Sequence, residues 1–178
     1  MKLSLVGLEN EHGAFKQFDV LTPAPKLIAP DGTEVLAKAP LHVTGTVTNT
    51  GPCYHVSGEI EAKLSLVCAR CLERYLLKLK VPLIEDYAKS GSSDEQEDWR
   101  SFQGDEIELD GAIEEELYLN LPLRGLCDKN CQGLCPICGT NRNREQCNCK
   151  EERVDPRLAV LSKLLDNAPG GGGKDGTT

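Results

Sequence analysis

From Glu59 the chain alternates without a break. Ile60, Ala62, Leu64 and Leu66 fall on one side, and Glu59, Glu61, Lys63 and Ser65 on the other. A period of two marks a half-buried strand. After Cys71 the alternation resumes, with Tyr75, Leu77, Leu79, Val81 and Leu83 set against Arg74, Lys78 and Lys80. The two runs predict a long β-hairpin with Cys68-Ala-Arg-Cys71 at its tip. The β-branched run Val43, Thr44, Thr46, Val47, Thr48 predicts another strand, turned by Gly51-Pro52. Leu3 and Leu5, then Phe15, Phe18 and Val20, can seed two short strands. Pro23, Pro25, Pro30 with Asp31-Gly32, and Pro40 punctuate the stretch between as loop.

The period changes at Asp110. Ile113, Leu117 and Leu121 share one helical face, and Glu114-Glu115-Glu116 lie towards the N-terminal half. A helix over 110–121 follows, with Asp110 as its cap and Pro122 as its stop. Asp155-Pro156 starts a last short helix whose stripe is Leu158, Leu161, Leu164 and Leu165. Residues 88–104, rich in Ser, Gly, Asp, Glu and Gln, read as a flexible acidic loop that Trp99 packs back onto the sheet. The pattern predicts an α+β protein. Residues 1–122 form an antiparallel sheet with one packed helix, for which barrel-like closure is an available form. Residues 123–166 form a C-terminal cysteine-rich zinc module with the short helix, and 167–178 a disordered Gly-rich tail.

Cysteine spacing carries the chemistry. Eight of the nine cysteines form four short-spaced pairs: Cys68 and Cys71, Cys127 and Cys131, Cys135 and Cys138, Cys147 and Cys149. Cys53 stands alone. A structural zinc takes four thiolates or imidazoles, delivered as two such pairs, so eight ligands suffice for two closed sites. Cys135-Pro-Ile-Cys138-Gly has knuckle form, and Cys147-Asn-Cys149 returns to the same ion. Cys68, Cys71, Cys127 and Cys131 then make a second site, tying the hairpin tip to the segment after the helix. A ribbon-like grouping of Cys68 and Cys71 with Cys135 and Cys138 is open as well. Four thiolates also suit mononuclear iron or an iron–sulfur cluster, which makes a small iron-binding protein the rival reading. A thiol-redox pair is the next rival, but that chemistry sets Cys-x-x-Cys at the opening of a helix, and strands flank this one.

The apolar opening Met1–Leu8 is shorter than a signal peptide or a membrane span, which predicts a cytoplasmic protein with reduced thiols. The net charge of −8 argues against broad non-specific nucleic-acid binding. That charge is uneven. Residues 85–118 hold thirteen acidic residues against Lys89 and Arg100, whereas 124–163 hold eight basic residues, Arg142, Arg144 and Lys150 among them, against five acidic ones. His12, His42 and His55 are scattered, with no serine or carboxylate at a telling spacing. The Gly170–Gly173 run has no Lys-Ser/Thr partner for a phosphate loop. With no catalytic constellation, the expectation is a binding protein with no small-molecule substrate.

Several stretches together resemble a known family. They are Cys68-Ala-Arg-Cys71-Leu-Glu, Ile113-Glu-Glu-Glu-Leu-Tyr-Leu-Asn-Leu-Pro122, Cys131-Gln-Gly-Leu-Cys135-Pro-Ile-Cys138-Gly-Thr-Asn, Cys147-Asn-Cys149 and Asp155-Pro-Arg-Leu-Ala-Val-Leu161. In this order, over roughly 40–165, they resemble the bacterial YceD-like family, the large ribosomal RNA subunit accumulation proteins. One departure is Arg142, at a position where the family pattern has Leu. The resemblance implies a part in large-subunit rRNA accumulation and ribosome assembly. Its partner would be a large-subunit ribosomal protein, rRNA or an assembly particle. With aromatic residues at 4%, base-stacking platforms are scarce, and the acidic charge favours the protein partner.

Overall fold

The computed structural model describes residues 1–91 and 98–149. The expected helix after Asp155-Pro156 and the Gly-rich tail lie outside these. The chain divides into two compact units, Met1–Gly133 and Leu134 onward. Among the described residues the elements are β1 (Lys2–Ser4), β2 (Phe15–Thr22), β3 (Leu27–Ile28), β4 (Glu34–Ala37), β5 (Leu41–Asn49), β6 (Tyr54–Val67), β7 (Arg74–Lys89), β8 (Arg100–Phe102), β9 (Glu106–Glu108) and α1 (Asp110–Leu119).

The alternating hairpin is the spine of the first unit. β6 and β7 pair antiparallel from Tyr54↔Tyr87 to Val67↔Arg74. The other edge of β6 is shared. β5 takes its first half, from Asn49↔Tyr54 to His42↔Glu61, and β4 takes its far end through Leu36↔Ser65 and Ala37↔Leu64. β2 pairs outside β5, and β3 outside β4. The core side of the β6 pattern lands as expected: Ile60, Ala62, Leu64 and Leu66 are buried, as are Val81 and Leu83 on β7, while Lys63, Lys78 and Lys80 face solvent. Ser65, on the polar side, is buried as well where β4 pairs with it, and Tyr75, Leu77 and Leu79 are half-buried. α1 adds Ile113 and Leu117 to the same core. Arg100 links it to β7, its guanidinium meeting Glu85 at 3.0 Å and also Glu115. No helix among the described residues is long and apolar enough to cross a membrane.

The sheet does not close into a barrel. Among the described residues β2, β3 and β8 are its free edges, and β1 with β9 forms a separate two-stranded ladder. The sheet is also not wholly antiparallel, because β8 runs parallel to β7. That strand lies inside the expected acidic loop. Phe102 anchors it, buried and edge-on to Tyr54 with ring centroids 5.7 Å apart. The proline-punctuated stretch holds the small hairpin of β3 and β4, in which buried Leu27 and Val35 face each other. Its turn is closed by Ala29 N–H to the Thr33 carbonyl at 2.8 Å, and the Asp31 carboxylate accepts from Thr33 N–H and Oγ1–H. Strands this short leave no readable period. Helix α1 begins at Asp110 itself. Leu109 is the capping residue and has no side-chain bond to offer. The helix ends at Leu119, before the expected Leu121, where Asn120 Nδ2–H returns to the Glu116 carbonyl at 2.8 Å.

Candidate metal centres

The β6–β7 turn holds the first cysteine pair. Cys68 N–H donates to the Glu73 carbonyl, and Leu72 N–H returns to the Cys68 carbonyl, each at 2.9 Å. Leu72 takes the left-handed conformation at φ 59°. Cys135 to Cys138 repeats the scheme in the second unit. Cys135 N–H reaches the Thr140 carbonyl at 2.8 Å, and Gly139 N–H reaches the Cys135 carbonyl at 2.9 Å with φ 75°. The two knuckles are therefore the same local structure, with Leu in one where the other has Gly. A β-branched side chain tolerates positive φ worse than Leu does, and Gly tolerates it freely. Leu72→Gly should therefore leave the stability within about 1 kcal/mol of the parent or raise it, whereas Leu72→Val should lower it by ~1–2 kcal/mol. Equal melting of the two variants would refute this account of the turn.

Each knuckle gathers a second pair. Ala69 N–H bonds the Gly125 carbonyl at 2.8 Å, and Arg70 Nη1–H bonds the Cys131 carbonyl at 2.9 Å, so the turn itself holds the 125–131 segment. Asp128 caps a short turn there, taking Asn130 N–H at 2.7 Å. The result places Cys68, Cys71, Cys127 and Cys131 together, their sulfurs all within 4.8 Å of one another. Cys135, Cys138, Cys147 and Cys149 form the second such group. This is the first of the two groupings the spacing left open, not the ribbon-like one.

The donor geometry fits a tetrahedral ion. A metal–sulfur bond of about 2.3 Å sets sulfur–sulfur edges near 3.8 Å. Cys68 and Cys131 sulfurs are 3.8 Å apart, and those of Cys71 and Cys127 3.6 Å. These separations are far beyond a disulfide bond of ~2.05 Å.

Electrostatics points the same way. Burial alone would raise the Cys68 thiol, but backbone N–H groups of Cys127, Cys71 and Arg70 outweigh it and hold the thiol at about 6. Cys135 is held at about 6 by the Cys138 and Ile137 N–H groups. The knuckle thus supplies the same two amides, two and three residues on, in both sites. Hydrogen bonds between neighbouring sulfurs raise two of the others. Cys127 is pushed up to about 12 by Cys131 first, then burial, and Cys149 to about 12 by Cys138 first. Four adjacent thiols cannot all ionise by themselves, and a cation among them removes that conflict.

The two sites differ in shelter. Cys68, Cys71 and Cys131 are buried in the first, with Tyr75 and Leu126 packed against them. In the second, Cys138 is exposed and Cys147 and Cys149 are half-exposed. Its second layer is polar. The Thr140 hydroxyl lies 3.2 Å from Cys138 Sγ and, with the Thr140 N–H, holds that thiol below its ordinary range. Arg142 Nη2 lies 3.8 Å from Cys135 Sγ, so the residue that departs from the family pattern stands beside the cluster. Neither Arg70 nor Arg142 was legible as a supporting residue, because the partners of each are fixed by the turn and not by spacing. Cys53 joins neither group. It is buried, and burial first, with Asp86 adding, raises its thiol, which makes it a poor nucleophile. His42 and His55 do meet carboxylates, Asp19 at 2.8 Å and Asp86 at 2.7 Å, across strands that sequence spacing does not bring together.

A mostly antiparallel sheet carries one four-cysteine group at a hairpin tip, and a short cysteine-rich unit carries a second; each group could hold a metal ion. Residues 56–165 match the family model described as large ribosomal RNA subunit accumulation protein YceD, and the chain belongs to that family. Among its relatives is an uncharacterized protein of Mycobacterium tuberculosis, 32% identical over 114 residues, 62% of this chain and 55% of that protein. The chloroplastic large ribosomal RNA subunit accumulation protein YCED homolog 1 of Zea mays is 27% identical over 156 residues, 70% of this chain and 53% of its own length. The Arabidopsis thaliana homolog 1 is 31% identical over 61 residues, 34% of this chain and 19% of that one. The chain spans about half the length of the curated relatives it matches first, 55% in the case above. No solved structure matches it.

Proposed function

We propose that this chain is a zinc-bearing, non-enzymatic factor that supports large-subunit rRNA accumulation and ribosome assembly in the cytoplasm, by holding a ribosomal protein or rRNA. The observation that carries the reading is the pair of four-sulfur clusters within a chain of the YceD family. Four thiolates around one ion leave no open coordination position, so the metal serves structure and not catalysis. Zinc is preferred to iron because knuckle-borne Cys pairs are its usual structural ligands. Eight cysteines gathered as thiols into two four-sulfur groups suit a reducing compartment. The net charge of −8 repels an RNA backbone at long range, which favours a basic ribosomal protein as the direct partner.

Two measurements test this. Protein prepared without an affinity tag should be colourless and carry two zinc ions per chain, and iron with a visible charge-transfer band would replace this reading with the iron-binding one. Co-sedimentation with large-subunit precursor particles should then separate the partners. Neutralising Asp94, Glu95, Glu97 and Asp98 should weaken association several-fold more than reversing Arg144 and Lys150. Arg142 is left intact, because it lies 3.8 Å from Cys135 Sγ. Binding to naked large-subunit rRNA as tightly as to particles overturns the preference for a protein partner.

A further inference from the structure

A helix that only covers a sheet shows one apolar stripe. Helix α1 has that stripe in Ala112, Ile113 and Leu117, all buried. It has a second apolar surface in its last turn, where Tyr118 is 49% and Leu119 68% exposed, and Leu123 follows at 79%. Across from Tyr118 lies Ile28, 60% exposed on β3, which among the described residues pairs only with β4. Between them runs a groove of about 430 Å³, floored by Leu27, Ile28, Gly111 and Tyr118 and walled by Glu114 and Glu115. Large exposed apolar residues grouped in this way mark interaction surfaces.

Charge says what covers it. Glu34 faces Ile28 directly in the β3–β4 register, and Glu114 is exposed on the helix wall. Helix α1 carries no basic residue, and none in its last turn offsets the negative end of its dipole, beside Tyr118 and Leu119. Lys26 lines the groove, and the Arg100 guanidinium, which lies against Gly111, is already paired with Glu115, so Glu114 and Glu34 carry the free negative charge there. A phosphate backbone is repelled here. A second copy of this chain meeting face to face would set Glu114 and Glu34 against their own equivalents, which is also unfavourable.

We propose that this groove and the apolar end of α1 dock a basic protein segment that carries an apolar anchor: the anchor enters beside Ile28 and Tyr118, and its flanking Lys or Arg meets Glu34, Glu114 and the helix end. This rests on the reading of the chain as a binding factor and gives it a docking surface in addition to the acidic stretch of Asp94, Glu95, Glu97 and Asp98.

The test uses the full metal-loaded chain and three labelled probes: a short amphipathic peptide of Lys and Leu, its counterpart with Glu for Lys, and a single-stranded RNA oligonucleotide. Anisotropy should show binding of the cationic peptide alone. Tyr118→Ser with Leu119→Ser, checked for retained fold and metal content, should weaken it about tenfold or more. Glu34→Gln with Glu114→Gln should weaken it several-fold and flatten its salt dependence. Phe15→Ser, an exposed aromatic on the β2 edge, should change nothing. Cationic-peptide binding indifferent to both groove variants, equal binding of the acidic peptide or RNA, or a dimer that the Tyr118 and Leu119 changes dissociate would each overturn the docking surface. Loss of the parent chain's co-sedimentation with precursor particles would instead sink the assembly reading, and leave the peptide result to stand by itself.

Discussion

Cys68→Ser should remove one of two metal ions and lower the stability of the first unit by about 3–4 kcal/mol, roughly 6–16 °C of melting temperature. The magnitude follows from topology. The first cluster joins Cys68 to Cys131, 63 residues along the chain, and a cross-link over so long a loop withholds about 4 kcal/mol of entropy from the unfolded ensemble. Cys68 is also fully buried, and a serine there puts a hydroxyl against three sulfurs and amide donors arranged for a thiolate. Cys138→Ser should behave differently. Its sulfur is exposed and its partners lie between Cys135 and Cys149, so the variant should lose its ion while the first unit melts as before. Native mass spectrometry gives the metal count, and hydrogen exchange across β6 and β7 reports the first unit separately. Both variants keeping two ions, or Cys138→Ser loosening β6 and β7 as much as Cys68→Ser does, would refute this division of roles.

The legible parts of this chain were those with a period or a spacing. The second half of β6, from Glu59, reads as a strand from side-chain alternation alone, and the fold puts Ile60, Ala62, Leu64 and Leu66 on the core side as that alternation requires. The eight clustered cysteines were equally legible, since paired thiols at short spacing have few uses. What escaped was set by tertiary contact. β3 has two residues and β8 three, and each is a strand because a longer neighbour offers it a ladder. Asp110 looked like a cap because it precedes an apolar period, yet the helix takes it as its first residue. Closure of the sheet could not be read at all, because it depends on whether the edge strands β2, β3 and β8 find partners and not on any pattern within them. The second knuckle advertised its turn with Gly139. The first concealed the same turn behind Leu72, and only the backbone reveals the two as equivalent.

The central sheet should be least tolerant where it carries no side chain. Gly45 and Gly58 face each other across β5 and β6, and the ring of buried Phe18 lies over Gly45. A Cβ on Gly45 would stand 2.5 Å from the Ser57 carbonyl oxygen, 2.7 Å from Phe18 Cζ and 2.8 Å from Gly58 Cα. A Cβ on Gly58 would stand 2.3 Å from the Thr44 carbonyl oxygen. Two of the three contacts at Gly45, and the shortest at Gly58, are with backbone in the middle of the sheet, where the ladder cannot move without breaking its bonds. Overpacking of this kind costs about 1–3 kcal/mol, and strand separation adds the loss of neighbouring ladder bonds. We therefore expect Gly45→Ala and Gly58→Ala each to lower stability by roughly 2–4 kcal/mol with metal content unchanged. Phe18→Leu should not rescue Gly45→Ala, because it removes the flexible contact and leaves the two rigid ones. Denaturant melts of the three single variants and the Phe18–Gly45 double variant decide the matter. A Gly45→Ala protein within about 0.5 kcal/mol of the parent, or one restored by Phe18→Leu, would mean that the ring and not the backbone sets the constraint.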